Sequence, residues 1–251
     1  MINLKTKNWQ IENIDTIIFD KDGTLIDLHF FWGKMTQLRV EEVIKTFNLE
    51  DSLFKTLCLI LGYDFDKQKM LSDGITALYS RMKIIEIFKK ELEKFSVYTS
   101  KEKIEKIFDK VSDKFYKDIL KYTKPIEPAI NFAKKLKSKN AKLAIVTADS
   151  IISTKLTIEQ FRWDDIFEVL IGRETHPDAK ESGKPTKYAL ELLNSKPKNC
   201  IMIGDSQTDF LSAKNAQIEK TILVATGQVP IETLEKTSPY CVNSLDEIEI
   251  Y

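Results

Sequence analysis

The second half of the chain alternates short apolar stretches with stretches of helical periodicity, and this alternation limits the folds open to it. The apolar stretches predict strands at 142–147, 169–172, 200–204 and 221–225. Helical patterns precede these strands at 128–139, 151–162, 185–194 and 206–216. Short strands that alternate with helices are typical of right-handed βαβ units, so this half predicts a parallel sheet covered by helices.

A strand of the same type is predicted near the start of the chain, at 14–20, where an apolar run ends on acidic residues. The region 29–122 that follows has helical patterns only, including a capping-box signature at 99–102. One of its predicted helices carries the apolar stripe Leu78, Met82, Ile85, Phe88, Leu92 and Phe95. The predicted fold class is α/β, a Rossmann-like parallel sheet core formed by residues 1–28 and 123–251, with an inserted all-α domain formed by residues 29–122.

Composition excludes several classes of function. The chain has 251 residues, with 38 Lys and Arg against 38 Asp and Glu, so it lacks the general positive charge of a nucleic-acid-binding protein. Its three cysteines form no CxxC pair and it has two histidines, which argues against structural zinc and a disulfide framework. No signal-peptide pattern and no long apolar stretch is found, so we expect a cytoplasmic protein without a membrane span.

Polar and acidic residues follow three of the predicted strands. Asp20 and Asp22 stand at the end of the strand at 14–20, Thr147 ends the strand at 142–147, and Asp205 follows the strand at 200–204. In open parallel sheets, ligands bind at the carboxyl ends of the strands, where these side chains would meet. Carboxylates at the end of a buried strand are costly unless a cation lies beside them, and Mg²⁺ prefers such oxygen ligands. The sequence therefore predicts a Mg²⁺ site at this edge.

These motifs and their order resemble those of haloacid dehalogenase superfamily phosphohydrolases, in particular the phosphoglycolate-phosphatase-like members with a helical cap after the first motif. The first motif matches Asp20-Lys-Asp22-Gly-Thr24, and the second matches Thr147. The third, a lysine ahead of a helix, is assigned to Lys184 in Ser-Gly-Lys-Pro. The fourth matches Gly204-Asp205-Ser-Gln-Thr-Asp209.

The resemblance implies a role for each matched residue. Asp20 would be the nucleophile, and Asp22 would protonate the leaving alcohol and then activate water. The transferring phosphate would be held by Thr147, Ala148 and Lys184. The ligands of Mg²⁺ would be Asp20, Asp205 and the backbone carbonyl of Asp22, with Asp209 orienting Lys184 or a metal-bound water.

The implied function is Mg²⁺-dependent hydrolysis of a small phosphomonoester, possible substrates including phosphoglycolate-like compounds, through an aspartyl-phosphate. The cap would close over the site and contact the leaving group. An acid at position 22 argues against a dehalogenase, which needs no proton donor for its leaving group. A sugar-phosphate phosphomutase and a catalytically silent binding protein stay open as alternatives. The expected partner is a small phosphorylated metabolite, and the protein would be a monomer or a homodimer.

Three further patterns have ordinary structural explanations. Residues 64–74 resemble a calcium-binding loop, but Lys69 stands where that loop needs glycine, so a turn between helices is expected. The aromatic residues 30–32 are expected to pack in the inserted domain, the alternative being that His29 or Trp32 lines a substrate entrance. Either Asp149 or Ser150 is expected to cap the helix that follows it.

Overall fold

The computed structural model describes residues 1–251, and it divides the chain into two compact units. Met1–Asp27 and Lys124–Tyr251 form one, the core unit, and Leu28–Thr123 form the other, the inserted unit. These bounds lie one residue from the ones expected from the sequence. No helix combines the length and the apolar character needed to cross a membrane.

The strands, in chain order, are β1 (Ile2–Lys5), β2 (Gln10–Ile14), β3 (Thr16–Phe19), β4 (Tyr63–Asp64), β5 (Lys69–Met70), β6 (Lys142–Val146), β7 (Val169–Ile171), β8 (Cys200–Gly204), β9 (Lys220–Val224), β10 (Tyr240–Val242) and β11 (Glu249–Ile250). The α-helices are α1 (Leu28–Phe47), α2 (Phe54–Ile60), α3 (Ile75–Leu78), α4 (Arg81–Glu93), α5 (Lys101–Lys117), α6 (Ile119–Tyr122), α7 (Glu127–Ser138), α8 (Ile151–Phe161), α9 (Lys184–Leu192), α10 (Gln207–Asn215) and α11 (Ile231–Leu234). The predicted strands of the sheet are all present, and their ends differ from the predicted ones by two residues at most.

The core unit is built on a six-stranded parallel sheet in the order β10-β9-β8-β3-β6-β7. Every residue of β3 is buried because this strand lies inside the sheet with helices against both faces, which explains its continuous apolar run. Phe19 pairs in register with Ile145 of β6 and with Ile203 of β8. The carboxyl ends of these three strands therefore lie side by side.

The start of α10 is positioned by its own sequence. Ser206 and Asp209 form a reciprocal capping box, in which each side chain bonds to the backbone of the other. The apolar side of the helix packs on the sheet through Ala213, together with Ala189 and Leu190 of α9. This packing fixes the residues that follow β8 relative to those that follow β3.

A second sheet in the core unit, in the order β11-β1-β2, was not predicted. It is antiparallel and joins the two ends of the chain. Trp9 lies edge-on to Tyr240 and donates its indole N–H to the carbonyl of Cys241 at 3.3 Å. The strands are short and β2 buries only two of its residues, so the local pattern is too weak to predict them.

The inserted unit is mainly helical, and its core includes Val40, Leu57, Ile85, Phe88 and Phe108. It departs from the expected helical patterns in three places. A β4–β5 hairpin lies where only a turn was expected. Tyr79 is extended and separates α3 from α4, so Leu78 and Met82 are 58% and 57% exposed instead of buried. The helix at 101–117 is capped by Ser100, not by Thr99 as the capping-box pattern implied.

The aromatic residues after the first motif pack within the inserted unit. Phe31 is fully buried, and Trp32 packs against the hydrophobic core of this unit. The Nδ1 atom of His29 accepts a hydrogen bond from the backbone N–H of Met70 at 3.1 Å. These contacts agree with the packing interpretation of the segment.

Candidate active site

Asp20 follows β3 and lies in a buried ion-pair network. Its backbone N–H donates to the carbonyl of Ile203 at 2.8 Å, which continues the pairing of β3 with β8. Its Oδ1 atom pairs with the ammonium group of Lys180, and the same ammonium lies 2.5 Å from Oδ1 of Asp209. The other oxygen of Asp209 accepts from the backbone N–H and the hydroxyl of Ser206. Asp209 thus holds Lys180 beside Asp20.

The lysine of this network is Lys180, and the assignment of Lys184 from the sequence is wrong. The side chain of Lys180 is 4% exposed, whereas that of Lys184 is 61% exposed and pairs with Asp178 at 2.9 Å. Lys180 begins a short 3₁₀ turn that Asn215 of α10 binds through the carbonyl of Glu181, at 2.7 Å. Because this turn packs on α10, it brings Lys180 to Asp209, while Lys184 begins α9 and faces solvent.

Asp205 follows β8 and completes a buried acidic group. One carboxylate oxygen each from Asp20, Asp205 and Asp209 lies within 4.8 Å of the others. Lys180 pairs with Asp20 and Asp209, which leaves Asp205 without a cationic partner. Burial, with repulsion from Asp209 and Asp20, raises the pKa of Asp205 well above its ordinary value. A buried carboxylate in this condition fits a site for a divalent cation.

Two glycines lie against the Asp205 carboxylate and leave room around it. A Cβ atom added to Gly23 would come within 2.5 Å of Oδ2 of Asp205, and one added to Gly227 would overlap the same atom. The hydroxyl of Thr226 donates to the carbonyl of Gly23 at 2.6 Å, so the loop after β9 is tied to the turn after β3. Gly227 could not be predicted from the sequence, because a glycine in a loop carries no distinctive local signal.

The nucleophile candidate is strongly perturbed by its surroundings. Burial is the largest effect on Asp20 and, with repulsion from Asp209 and Asp22, outweighs the attraction of Lys180 and raises its pKa to about 7. A cation beside Asp20 and Asp205 would favour the ionised form of both. Asp209 is the least suited of the three acids to bind it, since both its oxygens already have partners.

The carboxylate of Asp22 pairs with the buried ammonium group of Lys21. The ammonium of Lys21 lies 2.8 Å from Oδ1 of Asp22 and 2.9 Å from Oδ2 of Asp149. Ser150, not Asp149, caps α8, since its hydroxyl accepts the backbone N–H of Ser153 at 3.0 Å. Lys21 and Asp149 therefore form a second buried ion pair at the site. This pair was not predicted from the sequence.

Thr147 and Ala148 follow β6 at the same edge of the sheet. Thr147 is buried, and its backbone N–H donates to Ile171 at 2.9 Å. Its hydroxyl accepts the backbone N–H of Asp149 at 3.1 Å, so the hydroxyl hydrogen is free to donate elsewhere. Ala148 is exposed. The structure thus brings Asp20, Asp22, Thr147, Ala148, Asp205 and Asp209 to one edge of the sheet, and it excludes Lys184.

The core unit thus carries buried carboxylates and a buried lysine at the carboxyl edge of a parallel sheet. The chain belongs to the haloacid dehalogenase-like hydrolases, whose family model matches residues 14–217. It is 28% identical to the phosphoglycolate phosphatase of Aquifex aeolicus over 228 residues, 88% of this chain and 92% of that one.

Two more comparisons agree with this family. A protein of Caldanaerobacter subterraneus assigned as the pyrophosphatase PpaX is 28% identical over 229 residues, 90% of this chain and 88% of that one. The structure of a Haemophilus somnus protein assigned as a phosphoglycolate phosphatase superposes with a TM-score of 0.72 at 16% identity, covering 94% of this chain and 97% of that chain. The structural likeness supports the fold.

Proposed function

We propose that this hydrolase is a Mg²⁺-dependent phosphatase that cleaves a small phosphomonoester through an aspartyl-phosphate on Asp20. The observation that carries the proposal is the buried group at the end of β3 and β8. There Lys180 holds Asp20 beside Asp205, a carboxylate with no cationic partner of its own. Such a group combines a nucleophile, a fixed positive charge and a place for a cation.

The first step transfers the phosphoryl group to the enzyme. A carboxylate oxygen of Asp20 attacks phosphorus, and the bond from phosphorus to the ester oxygen breaks. The electron pair of that bond goes to the leaving oxygen, which takes the proton of Asp22 and departs as an alcohol. Burial raises the pKa of Asp22 despite the opposing charge of Lys21, which favours the protonated form that this step needs.

The second step regenerates the enzyme. Asp22, now ionised, takes a proton from water as the water oxygen attacks phosphorus, and the bond from phosphorus to Asp20 breaks. The products are inorganic phosphate and the Asp20 carboxylate. In both steps the Thr147 hydroxyl, the Ala148 backbone N–H and the Lys180 ammonium would donate to the phosphoryl oxygens.

Mg²⁺ would be held by Asp20, Asp205 and the backbone carbonyl of Asp22, in keeping with the acidic group described above. When bound, it would offset the negative charge of the carboxylate and phosphate that must approach each other. Asp209 would then keep its role of orienting the lysine.

The substrate we favour is a small, soluble phosphomonoester, and phosphoglycolate is the first to assay, because a relative carries the name of an enzyme for this compound. Pyrophosphate, a phosphoanhydride that the name of another relative points to, is the contrasting substrate. A cytoplasmic location and a monomeric or homodimeric state stay predictions.

The test is a rate profile with Mg²⁺ over a panel of phosphate esters, including 4-nitrophenyl phosphate, phosphoglycolate and sugar phosphates, with pyrophosphate added as a phosphoanhydride. The wild type should release phosphate, and Asp20→Asn or EDTA should stop the release. Activity that requires a sugar phosphate together with its bisphosphate would instead identify a phosphomutase. A wild type that is inert across the whole panel would favour the binding-protein alternative.

A further inference from the structure

Lys21 stands between the two aspartates of the first motif, yet its side chain is 1% exposed. A buried ammonium group is costly unless anions compensate it, and here Asp22 and Asp149 both do so. An apolar side chain would fill a buried position at lower cost, since buried ion pairs are often no more stable than well-packed apolar residues. Packing alone therefore does not account for a lysine here.

Both ends of Lys21 are fixed to the core unit. Its carbonyl accepts the backbone N–H groups of Leu25 at 2.8 Å and Ile26 at 3.1 Å, which closes the turn after β3. Its ammonium group meets Asp149, whose side chain is 4% exposed. Lys21 is thus held at its backbone by the turn and at its charge by a carboxylate after β6.

The backbone of Asp149 is held by two hydrogen bonds. Its backbone N–H donates to the Thr147 hydroxyl at 3.1 Å, and its carbonyl accepts the N–H of Arg173 at 2.8 Å. The carboxylate of Asp149 contacts the ammonium group of Lys21, and the same ammonium group contacts Oδ1 of Asp22. One oxygen of Asp22 is occupied by Lys21, and the other is left for a different partner.

We propose that Lys21, anchored by Asp149, is a positioning residue that aims the Asp22 carboxyl group at the leaving oxygen of the substrate. This role rests on the proposed phosphatase activity. It affects proton transfer to the leaving group rather than attack by Asp20. Its loss therefore matters most for esters whose leaving groups are poor, because alkoxides need the proton and 4-nitrophenolate hardly does.

The test compares kcat/KM of Lys21→Met for 4-nitrophenyl phosphate and for an alkyl phosphate that the wild type hydrolyses. We expect a loss of about 100-fold or more with the alkyl ester, near the low end of acid–base contributions, and about fivefold or less with the aryl ester. Lys21→Arg, which keeps the charge, should recover part of the alkyl activity. Equal losses with both esters would mean a structural role and overturn the proposal.

A double-mutant cycle with Asp22→Asn separates action through Asp22 from any direct effect on Asp20. If Lys21 acts through Asp22, adding Lys21→Met to Asp22→Asn should cost little more with the alkyl ester. Additive losses would refute the positioning role. An inert wild type overturns the phosphatase function and this role together, whereas an active wild type with equal or additive losses overturns only the role of Lys21.

A further variant covers the case in which Lys21→Met does not fold. Asp149→Asn keeps the size of the anchor and the charge of Lys21 but weakens the tether between them. It should lower kcat/KM for the alkyl ester by at least about fivefold more than for the aryl ester, a part of the acid–base contribution. A uniform effect of Asp149→Asn on both esters, or no effect on either, would overturn the proposal.

Discussion

Lys180 and Lys184 lie four positions apart, and replacing each in turn with methionine separates a buried lysine of the site from an exposed one. Methionine keeps most of the length of the lysine side chain and removes the charge. Lys180→Met leaves Asp20 and Asp209 without their shared cation. Lys184→Met removes only the partner of Asp178 on the surface. The pair is matched in chemistry and differs in burial.

The structure sets the size of the two effects. Removing one partner of a buried ion pair costs about 3–5 kcal/mol. For a chain of this length such a loss corresponds to a fall in melting temperature of roughly 6 to 20 °C. The exposed pair of Lys184, at 2.9 Å, is worth at most about 1 kcal/mol. If Lys180 donates to the transferring phosphoryl group, kcat should fall by about 10²- to 10³-fold in Lys180→Met.

The assay measures kcat with Mg²⁺ on the best ester of the panel, next to thermal unfolding of each variant. Lys184→Met should keep kcat within about twofold of the wild type, as expected for a surface change outside the site. To keep folding and catalysis apart, activity is measured at a temperature where Lys180→Met is folded by circular dichroism. An inactive Lys184→Met beside an active Lys180→Met would refute the placement of Lys180 in the site.

The parts of the site that could be predicted from sequence are those next to a strand end. Asp20, Thr147 and Asp205 each come directly after a run of buried apolar residues, so the position of the strand determines where the side chain lies. The parallel register of β3 with β6 and β8 then brings these residues together without any information on loops. The local sequence pattern is therefore sufficient to predict that these three residues share one site.

Lys180 could not be predicted in this way because its position depends on packing between distant segments. The sequence Gly183-Lys184-Pro185 reads as a helix start, and α9 does begin there, but the buried lysine lies in the turn before it. That turn is placed by contact with α10, which follows another strand. Lys21 was missed for a similar reason, since a lysine between two acids is indistinguishable by sequence from a solvated one.

Three further predictions concern the acidic group. In the metal-free wild type, the pKa of Asp20 is about 7 against an ordinary 3.8, so the folded state retains a proton that the unfolded state releases. The contribution of this proton to stability should be present below pH 3.8 and be lost as pH rises to about 7. Melting temperatures in EDTA at pH 5 and pH 8 test this, and a rise of the melting temperature with pH would contradict it. Asp205→Asn removes a buried carboxylate that repels its neighbours, so this variant should melt at a higher temperature than the wild type in EDTA at pH 8. It should gain no stability when Mg²⁺ is added. A stabilisation by Mg²⁺ equal to that of the wild type would exclude Asp205 as a ligand. Gly227→Ala places a methyl group against Oδ2 of Asp205, so the carboxylate must turn away from its present position. Because residues that orient a metal ligand typically change affinity by about 10- to 100-fold, the Mg²⁺ concentration for half-maximal activity should rise by that factor, with kcat at saturating Mg²⁺ much less affected. A normal Mg²⁺ dependence in this variant would show that the orientation of Asp205 does not govern the cation site.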